Sequence, residues 1–290
     1  YMYKPYGMIA ALPTPMLENG EIDYVAYAKL IEHVIHGGIH GVLVGGSTGE
    51  YSLMTFDERK AIIKFVTETV DKRVQVMAGT GCHRTKDTIE LTQYAESVGV
   101  DSALVINPYY MVTSDKGIIE HYQHIADNTD VGIVIYHYPD ATGVELTPEL
   151  INQISKIDGV IGIKNTADGI HTSKLFALVK DNPDFALLTG FEDLFLPTLS
   201  LGGAGAIGLV HNLVPDKIAK LYELIQEEKL QEAAELNKTL LPLYQLLEEE
   251  TVPGTVKAGL KALGIADTTC RLPLKPASSE FEAKIKAYLN

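Results

Sequence analysis

The sequence predicts an α/β fold, a (β/α)8 TIM barrel with a C-terminal helical extension. Short runs that are apolar on both faces alternate with amphipathic stretches through about the first 225 residues. Strands of that kind, separated by helices, belong to a parallel sheet covered by helices rather than to a half-solvated antiparallel one. Eight strand–helix units at roughly 25-residue spacing favour a closed barrel over an open doubly wound sheet. From about residue 229 the strand pattern stops.

In chain order, the strand candidates are 7–12, 41–44, 74–78, 102–106, 132–135, 160–163, 186–188 and 205–210. Helical periodicity occupies 24–36, 56–70, 85–98, 116–128, 148–156, 171–181, 194–201 and 215–226 between and after them. Start and stop signals agree with this register. Thr55 precedes Asp57-Glu58 as an N-cap with acids in the first turn, and Thr147-Pro148-Glu149 sets proline at a first helical position. Gly37-Gly38 and Gly99 end the first and third helices as C-cap glycines. Residues 230–250, 255–263 and 279–289 read as further helices, with no low-complexity linker before them. The expected organisation is therefore a catalytic barrel over 1–228 and a helical extension over 229–290 packed on it.

Composition limits the partners. An apolar content of 46% with 21% charged residues is that of a soluble globular protein. No apolar run approaches the roughly 20 residues of a membrane helix, and no signal segment is visible, so a cytoplasmic protein with no membrane partner is expected. Cys82 and Cys270 are far apart in sequence and fit no metal spacing, which suits a reducing compartment better than a disulfide framework. A net charge of −14 argues against nucleic acid, which needs a basic face, but leaves room for a small anionic substrate.

Three of the strand candidates deliver reactive groups to their C-terminal ends, the end that carries the active site in this architecture. The run Val160-Ile161-Gly162-Ile163-Lys164 delivers an amine, Gly132-Ile133-Val134-Ile135-Tyr136 a phenol, and Gly41–Val44 the turn Gly45-Gly46-Ser47-Thr48-Gly49-Glu50. The fifth and sixth strands are neighbours about 5 Å apart, so Tyr136 and Lys164 can meet. Desolvation at such a mouth disfavours an ammonium, and a neutral amine attacks a ketone to give a Schiff base whose iminium is an electron sink. A phenol beside the amine suits a proton shuttle. The glycine-rich turn lacks the Gly-Lys-Ser/Thr ending of a phosphate loop, and Glu50 stands where a lysine would be needed. It reads instead as backbone N–H groups and two hydroxyls that hold a carboxylate, with Glu50 structural, satisfying buried backbone donors.

Other patterns carry less. Gly203-Ala204-Gly205-Ala206-Ile207-Gly208 matches dinucleotide spacing but opens an apolar stretch and comes last among the units, so it reads as the eighth strand. His121 and His124 lie three apart on one helix without a third ligand and read as surface residues, not a metal site. His137 and His211 sit at mouth-side strand ends and are candidates for substrate contact.

At these residues the chain resembles the dihydrodipicolinate synthase/N-acetylneuraminate lyase family of pyruvate-dependent class I aldolases, over essentially its whole length. The markers are the Gly45–Glu50 turn, Asn107-Pro108-Tyr109-Tyr110, Tyr136-x-x-Pro139 with Thr142-Gly143, and Gly162-Ile163-Lys164-Asn165-Thr166. The resemblance implies a Schiff base on Lys164, Tyr136 as proton shuttle, and Ser47 and Thr48 on the pyruvyl carboxylate. It further implies Tyr110 given to a neighbouring subunit's site, Gly190 and Ile207 lining the pyruvate pocket, and a homotetramer built as a dimer of dimers. Thr166 joins the substrate-binding set, and no metal or organic cofactor is required.

Departures from the family pattern bear on the choice of member. The synthase resembles Tyr-Asn-x-Pro-Ser-Arg-Thr-Gly, whose arginine holds a carboxylate of the incoming semialdehyde; here the segment is Tyr136-His137-Tyr138-Pro139-Asp140-Ala141-Thr142-Gly143. Ala141 cannot pair a carboxylate, and losing such a contact costs about 1.5–3 kcal/mol or more. Relative to sialic acid lyase, the acids of Gly190-Phe191-Glu192-Asp193 are reversed, Leu209 replaces a serine and His211 a tyrosine. Gly79-Thr80-Gly81, Asn107–Tyr110 and Gly190–Asp193 are closer to the 2-keto-3-deoxygluconate aldolase branch, with Glu192, Asp193 and His137 as candidates for substrate hydroxyls. The expected activity is reversible cleavage of a 2-keto-3-deoxy sugar acid to pyruvate and an aldehyde. N-acetylneuraminate lyase, a related dehydratase, the lysine-pathway synthase and a non-catalytic keto-acid-binding barrel are the alternatives.

Overall fold

In the computed structural model, which describes residues 3–111 and 113–289, eight parallel strands close into a barrel in sequence order. They are β1 (Gly7–Ala11), β2 (Gly41–Val44), β3 (Gln75–Gly79), β4 (Ser102–Ile106), β5 (Gly132–His137), β6 (Val160–Asn165), β7 (Ala186–Thr189) and β8 (Gly205–Gly208). Every strand residue is buried, as the two-sided apolar runs require. The barrel helices are α1 (Tyr24–His36), α2 (Phe56–Val70), α3 (Thr85–Ser97), α4 (Asp115–Ala126), α5 (Pro139–Thr142), α6 (Pro148–Ile154), α7 (Gly169–Val179), α8 (Phe195–Ser200) and α9 (Pro215–Gln226). The chain continues in α10 (Leu230–Leu247), α11 (Gly254–Ala262) and α12 (Ser279–Leu289).

The local signals work as read. The Thr55 hydroxyl accepts from Glu58 N while the Glu58 carboxylate accepts from Thr55 N, a complete capping box. Thr147 caps α6 with Pro148 at its first position. The differences lie at strand ends. β5 and β6 each run two residues beyond the apolar stretch, because Tyr136, His137, Lys164 and Asn165 keep the parallel ladder although they break the hydropathy pattern. β8 stops at Gly208, and Val210–Asn212 turns into a 3-10 segment. The four-residue α5, opened by Pro139, has too little periodicity to be visible in advance. His121 corrects a second expectation: it is buried, with Nδ1 2.9 Å from Thr85 Oγ1, and desolvation pushes it down to about 4. His124 alone of that pair is exposed.

The chain divides into two compact units. One comprises the residues up to Tyr6 together with Gln75–Ile207. Its core packs Val105, Ile133, Ile135, Ile163 and Leu187 from the strands against Tyr122, Leu150, Leu175 and Val179 from α4, α6 and α7. Full burial of such a side chain contributes about 1.5–3 kcal/mol. This set also fixes parity: Ile133, Ile135 and Ile163 point toward the helices, so the even-numbered Tyr136 and Lys164 point the other way, into the barrel. The second unit comprises Gly7–Val74 and the chain from Gly208 onward, so the three C-terminal helices fall in the same unit as β1 and β2.

Candidate active site

The tips of β5 and β6 pair residue for residue, Tyr136 with Lys164 and His137 with Asn165. Tyr136 and Lys164 share the inward face, where Lys164 Nζ lies 4.3 Å from the centre of the Tyr136 ring. Both are buried, at 4% and 7% exposure, so the amine is held in a largely desolvated place against a phenol. Two steps further along β6's direction, Thr166 Oγ1 is buried with no hydrogen-bond partner among the described residues. A buried hydroxyl left unpaired is costly unless a ligand satisfies it. Gly190, just past β7, completes this side: a Cβ there would crowd Thr166 Oγ1 and come within 2.8 Å of Lys164 Cε. The sequence therefore keeps glycine where any side chain would push the amine aside. Tyr136, Lys164, Thr166 and Gly190 are thus brought together.

His137 is not. Parity turns it to the helix-facing side, where it is fully buried and both ring nitrogens are engaged within the protein. Its Nδ1 is 2.8 Å from Asn165 Oδ1, and its Nε2 accepts from Leu146 N at 3.1 Å. Its place among substrate contacts is corrected accordingly: the ring next to Tyr136 in sequence faces away from Tyr136 in space. Burial pushes His137 down to about 4; the Asn165 bond opposes this, the nearby His171 adds to it, and Glu145 opposes it.

Ser47 and Thr48 lie in the turn after β2, with Ser47 exposed and Thr48 buried. Backbone bonds from Gly49 N to Gly46 O and from Glu50 N to Ser47 O, both 3.0 Å, close the turn. Positive φ at Gly45 (70°) and at Glu50 (60°) bends it at both ends. Glu50 accepts the Arg271 backbone N–H at 3.1 Å, which agrees with its reading as a structural acceptor. Its second partner, not foreshadowed by any motif, is Lys257 on α11, whose Nζ lies 2.8 Å from Glu50 Oε2 and 2.6 Å from Thr269 O. Both side chains of this pair are buried. Arg271 also binds Gly20 O, Leu53 O and the Glu58 carboxylate, which holds Glu58 down at about 2.

With this geometry in view, comparison with known proteins is decisive. The family model of the dihydrodipicolinate synthetase family matches residues 4–290. The chain belongs to this family. It is 38% identical to the 4-hydroxy-tetrahydrodipicolinate synthase of Magnetococcus marinus, over 98% of this chain and 96% of that protein. Among solved structures, dihydrodipicolinate synthase from Aquifex aeolicus shares 34% identity with a TM-score of 0.93, covering 98% of this chain and 97% of its own. YagE, an E. coli K12 prophage protein of the dihydrodipicolinic acid synthase family solved with pyruvate, shares 33% identity with a TM-score of 0.94 over 98% and 97%. Dihydrodipicolinate synthetase family members are carbon–carbon lyases of the class I aldolase type that form a lysine Schiff base with pyruvate, and this chain is an enzyme of that class.

The remaining family positions spread out from the tip. Tyr136 stacks on Tyr138 with centroids 6.1 Å apart, and Tyr138 meets Phe191 edge-on at 6.2 Å, a line of rings that ends beside half-buried Glu192 and exposed Asp193. Ala141 lies exposed on α5, with only a methyl group where the synthase pattern carries arginine. Ile207 is fully buried in β8, and His211 is buried in the 3-10 segment that follows Leu209. Tyr110 stands apart, 85% exposed and at a φ of 68°, a left-handed conformation that costs a non-glycine residue about 1–3 kcal/mol.

Proposed function

We propose that the chain is a Schiff-base aldolase that cleaves a 2-keto-3-deoxy sugar acid of the 2-keto-3-deoxygluconate type, reversibly, to pyruvate and an aldehyde. The observation that carries this choice within the family is Ala141, which removes the cationic partner that a second substrate carboxylate needs. In the proposed sequence, Ser47 and Thr48 bind the keto acid's carboxylate and the neutral amine of Lys164 attacks its ketone, losing water to form the iminium. Tyr136 relays the proton from the C4 hydroxyl; the C3–C4 bond breaks as its electrons flow into the iminium, and the aldehyde leaves. The enamine is then protonated at C3 and hydrolysed to release pyruvate and regenerate the amine. Thr166, with its unpaired hydroxyl beside the amine, supports substrate binding there. Gly190, Ile207, Glu192 and Tyr110 keep the roles that the family pattern gives them, Tyr110 acting in a neighbouring subunit of a homotetramer. We also propose a cytoplasmic location and a barrel that ends near residue 228, followed by its helical extension.

The runner-up is 4-hydroxy-tetrahydrodipicolinate synthase, the activity for which the 38% identical relative is named. Treatment with pyruvate and borohydride followed by mass measurement tests the chemistry: one pyruvyl adduct is expected, absent from Lys164→Ala. No adduct, or one that survives that substitution, would sink the Schiff-base reading. Pyruvate release is then followed with 2-keto-3-deoxygluconate, its galactonate epimer and N-acetylneuraminate, beside condensation of pyruvate with aspartate semialdehyde. Turnover of N-acetylneuraminate alone, or efficient condensation by the unaltered protein, overturns the preferred substrate. Ala141→Arg is expected to gain condensation activity.

A further inference from the structure

Behind the Tyr136–Lys164 pair, the outward-facing residues of the same strand tips form a closed ring of hydrogen bonds. Leu146 N donates to His137 Nε2 at 3.1 Å. A backbone N–H can only donate, so Nε2 is the acceptor and the ring proton of neutral His137 sits on Nδ1, which gives it to Asn165 Oδ1 at 2.8 Å. That choice orients the Asn165 amide. Its Nδ2 then donates to His171 Nδ1 at 3.3 Å and to Thr172 Oγ1 at 3.1 Å. His171 must therefore carry its proton on Nε2, which donates to Leu146 O at 2.8 Å and returns the ring to its starting residue. All four bonds run in one direction, an arrangement in which each polarises the next. The two histidines are neutral and held as opposite tautomers, with their rings 4.8 Å apart.

We propose that His137, Asn165 and His171 are positioning residues for the Schiff-base reaction, a neutral clamp that grips both backbone groups of Leu146 and fixes the strand tips from which Tyr136 and Lys164 project. The clamp rests on the Schiff-base reading of Lys164. Its leverage comes from adjacency. Tyr136 precedes His137 on β5 and Lys164 precedes Asn165 on β6, so a turn of either outward side chain twists the peptide that aims its inward neighbour. The tips are also tied laterally, Thr166 N to His137 O at 2.8 Å and Gly190 N to Asn165 O at 3.1 Å, so a displacement reaches Thr166 and Gly190 as well. The ring has no place for a further proton. One added to His137 would face the Leu146 N–H, and one added to His171 would face the Asn165 amide donors. Among the described residues, the charged or titratable groups about it include Glu145 on the loop before Leu146, Asp168 at the start of α7, and Lys164 and Tyr136 on the opposite face of the strands.

Asn165→Ala and Asn165→Asp separate a clamp from mere core packing. Both are compared with the unaltered protein by the rate of borohydride-trapped pyruvyl adduct, per folded molecule, from pH 5 to 9. Asn165→Ala opens the ring and is expected to slow trapping by about tenfold or more, in the range that misplacement of reacting groups brings. An aspartate at 165 still accepts from His137 and can close the ring only when His171 is protonated, with Nδ1–H donating to the carboxylate and Nε2–H still reaching Leu146 O. Asn165→Asp should therefore trap near the normal rate at acid pH and acquire an alkaline loss absent from the unaltered protein and from Asn165→Ala. Where Asn165→Ala does not fold, the profile of Asn165→Asp decides. A folded Asn165→Ala that traps at the normal rate, or an Asn165→Asp profile that superposes on the unaltered one, overturns the clamp. An unaltered protein that forms no adduct overturns the Schiff-base reading beneath it, a distinguishable failure.

Discussion

The tip of β5–β6 and the turn after β2 both carry residues proposed to touch substrate, and each is held from behind by buried polar groups of opposite character. At the tip the anchor is neutral: His137, Asn165 and His171 close a ring on Leu146, all within 34 residues of sequence (171 − 137). At the turn the anchor is ionic, Glu50 against Lys257, from residues 207 apart. The difference teaches what each device is good for. A neutral ring sets direction and tautomer at small desolvation cost, which suits the aiming of an amine. A buried ion pair contributes little net stability when intact yet is severe to break, because the abandoned charge stays buried. It suits a turn that must simply be shut.

That contrast is open to attack, most strongly at the turn. Lys257→Met leaves the Glu50 carboxylate without its cation and is expected to destabilise by about 3–5 kcal/mol in denaturant unfolding, whereas Lys257→Met with Glu50→Gln recovers most of the loss. A single substitution costing under about 1 kcal/mol would show that the pair is no anchor. Next in size, Gly190→Ala drives a methyl against Lys164 Cε and should slow pyruvate adduct formation by about a hundredfold with little loss of folded protein. His137→Asn, too short to reach both Asn165 and Leu146, leaves a buried N–H unpaired and should cost about 1–3 kcal/mol.

The smallest and most discriminating effect is in pH. His137 is lowered from 6.5 to about 4, so the folded state binds fewer protons than the unfolded chain; its stabilisation is complete above 6.5 and is lost as pH falls toward and through 4. Glu58, lowered from 4.5 to about 2 by its Arg271 hydrogen bonds, keeps its contribution above 4.5 and loses it as pH falls through 2. Acid should therefore loosen the tip before the Glu58–Arg271 tie at the start of α2. Histidine ring resonances followed by NMR alongside equilibrium stability would show this order, and a single concerted acid transition would refute it.

Strand order and every helix but the four-residue α5 were legible because two-sided apolar runs and caps are local patterns, and Lys164 with Tyr136 was legible because strand neighbours inherit each other's ends. The place of His137 follows from alternation rather than from its position at a strand end: period 2 sends consecutive residues to opposite faces, so Tyr136 inside requires His137 outside. The outward asparagine could have been found by the same counting from Lys164. Lys257 and Arg271 could not, since nothing near them in sequence points to a carboxylate 207 and 221 residues earlier. His121 falls on the buried face of α4 by helical spacing, three residues after Ile118 and four before Ile125, but its polar ring hides it from a hydropathy reading.

Leu146 is held by its main chain, and its own side chain takes no part in that hold. The eight residues between His137 and Leu146 thus form a span with both ends pinned, and in its middle Asp140 and Ala141 are exposed on a four-residue helix whose Thr142 is buried. Loops on rigid supports tolerate exchange. Chemistry and preference are thereby uncoupled: the middle of this span can be rewritten residue by residue, or transplanted from a relative, without re-aiming the amine. For enzyme engineering it is the part to randomise first, leaving His137 and Leu146 at its ends untouched.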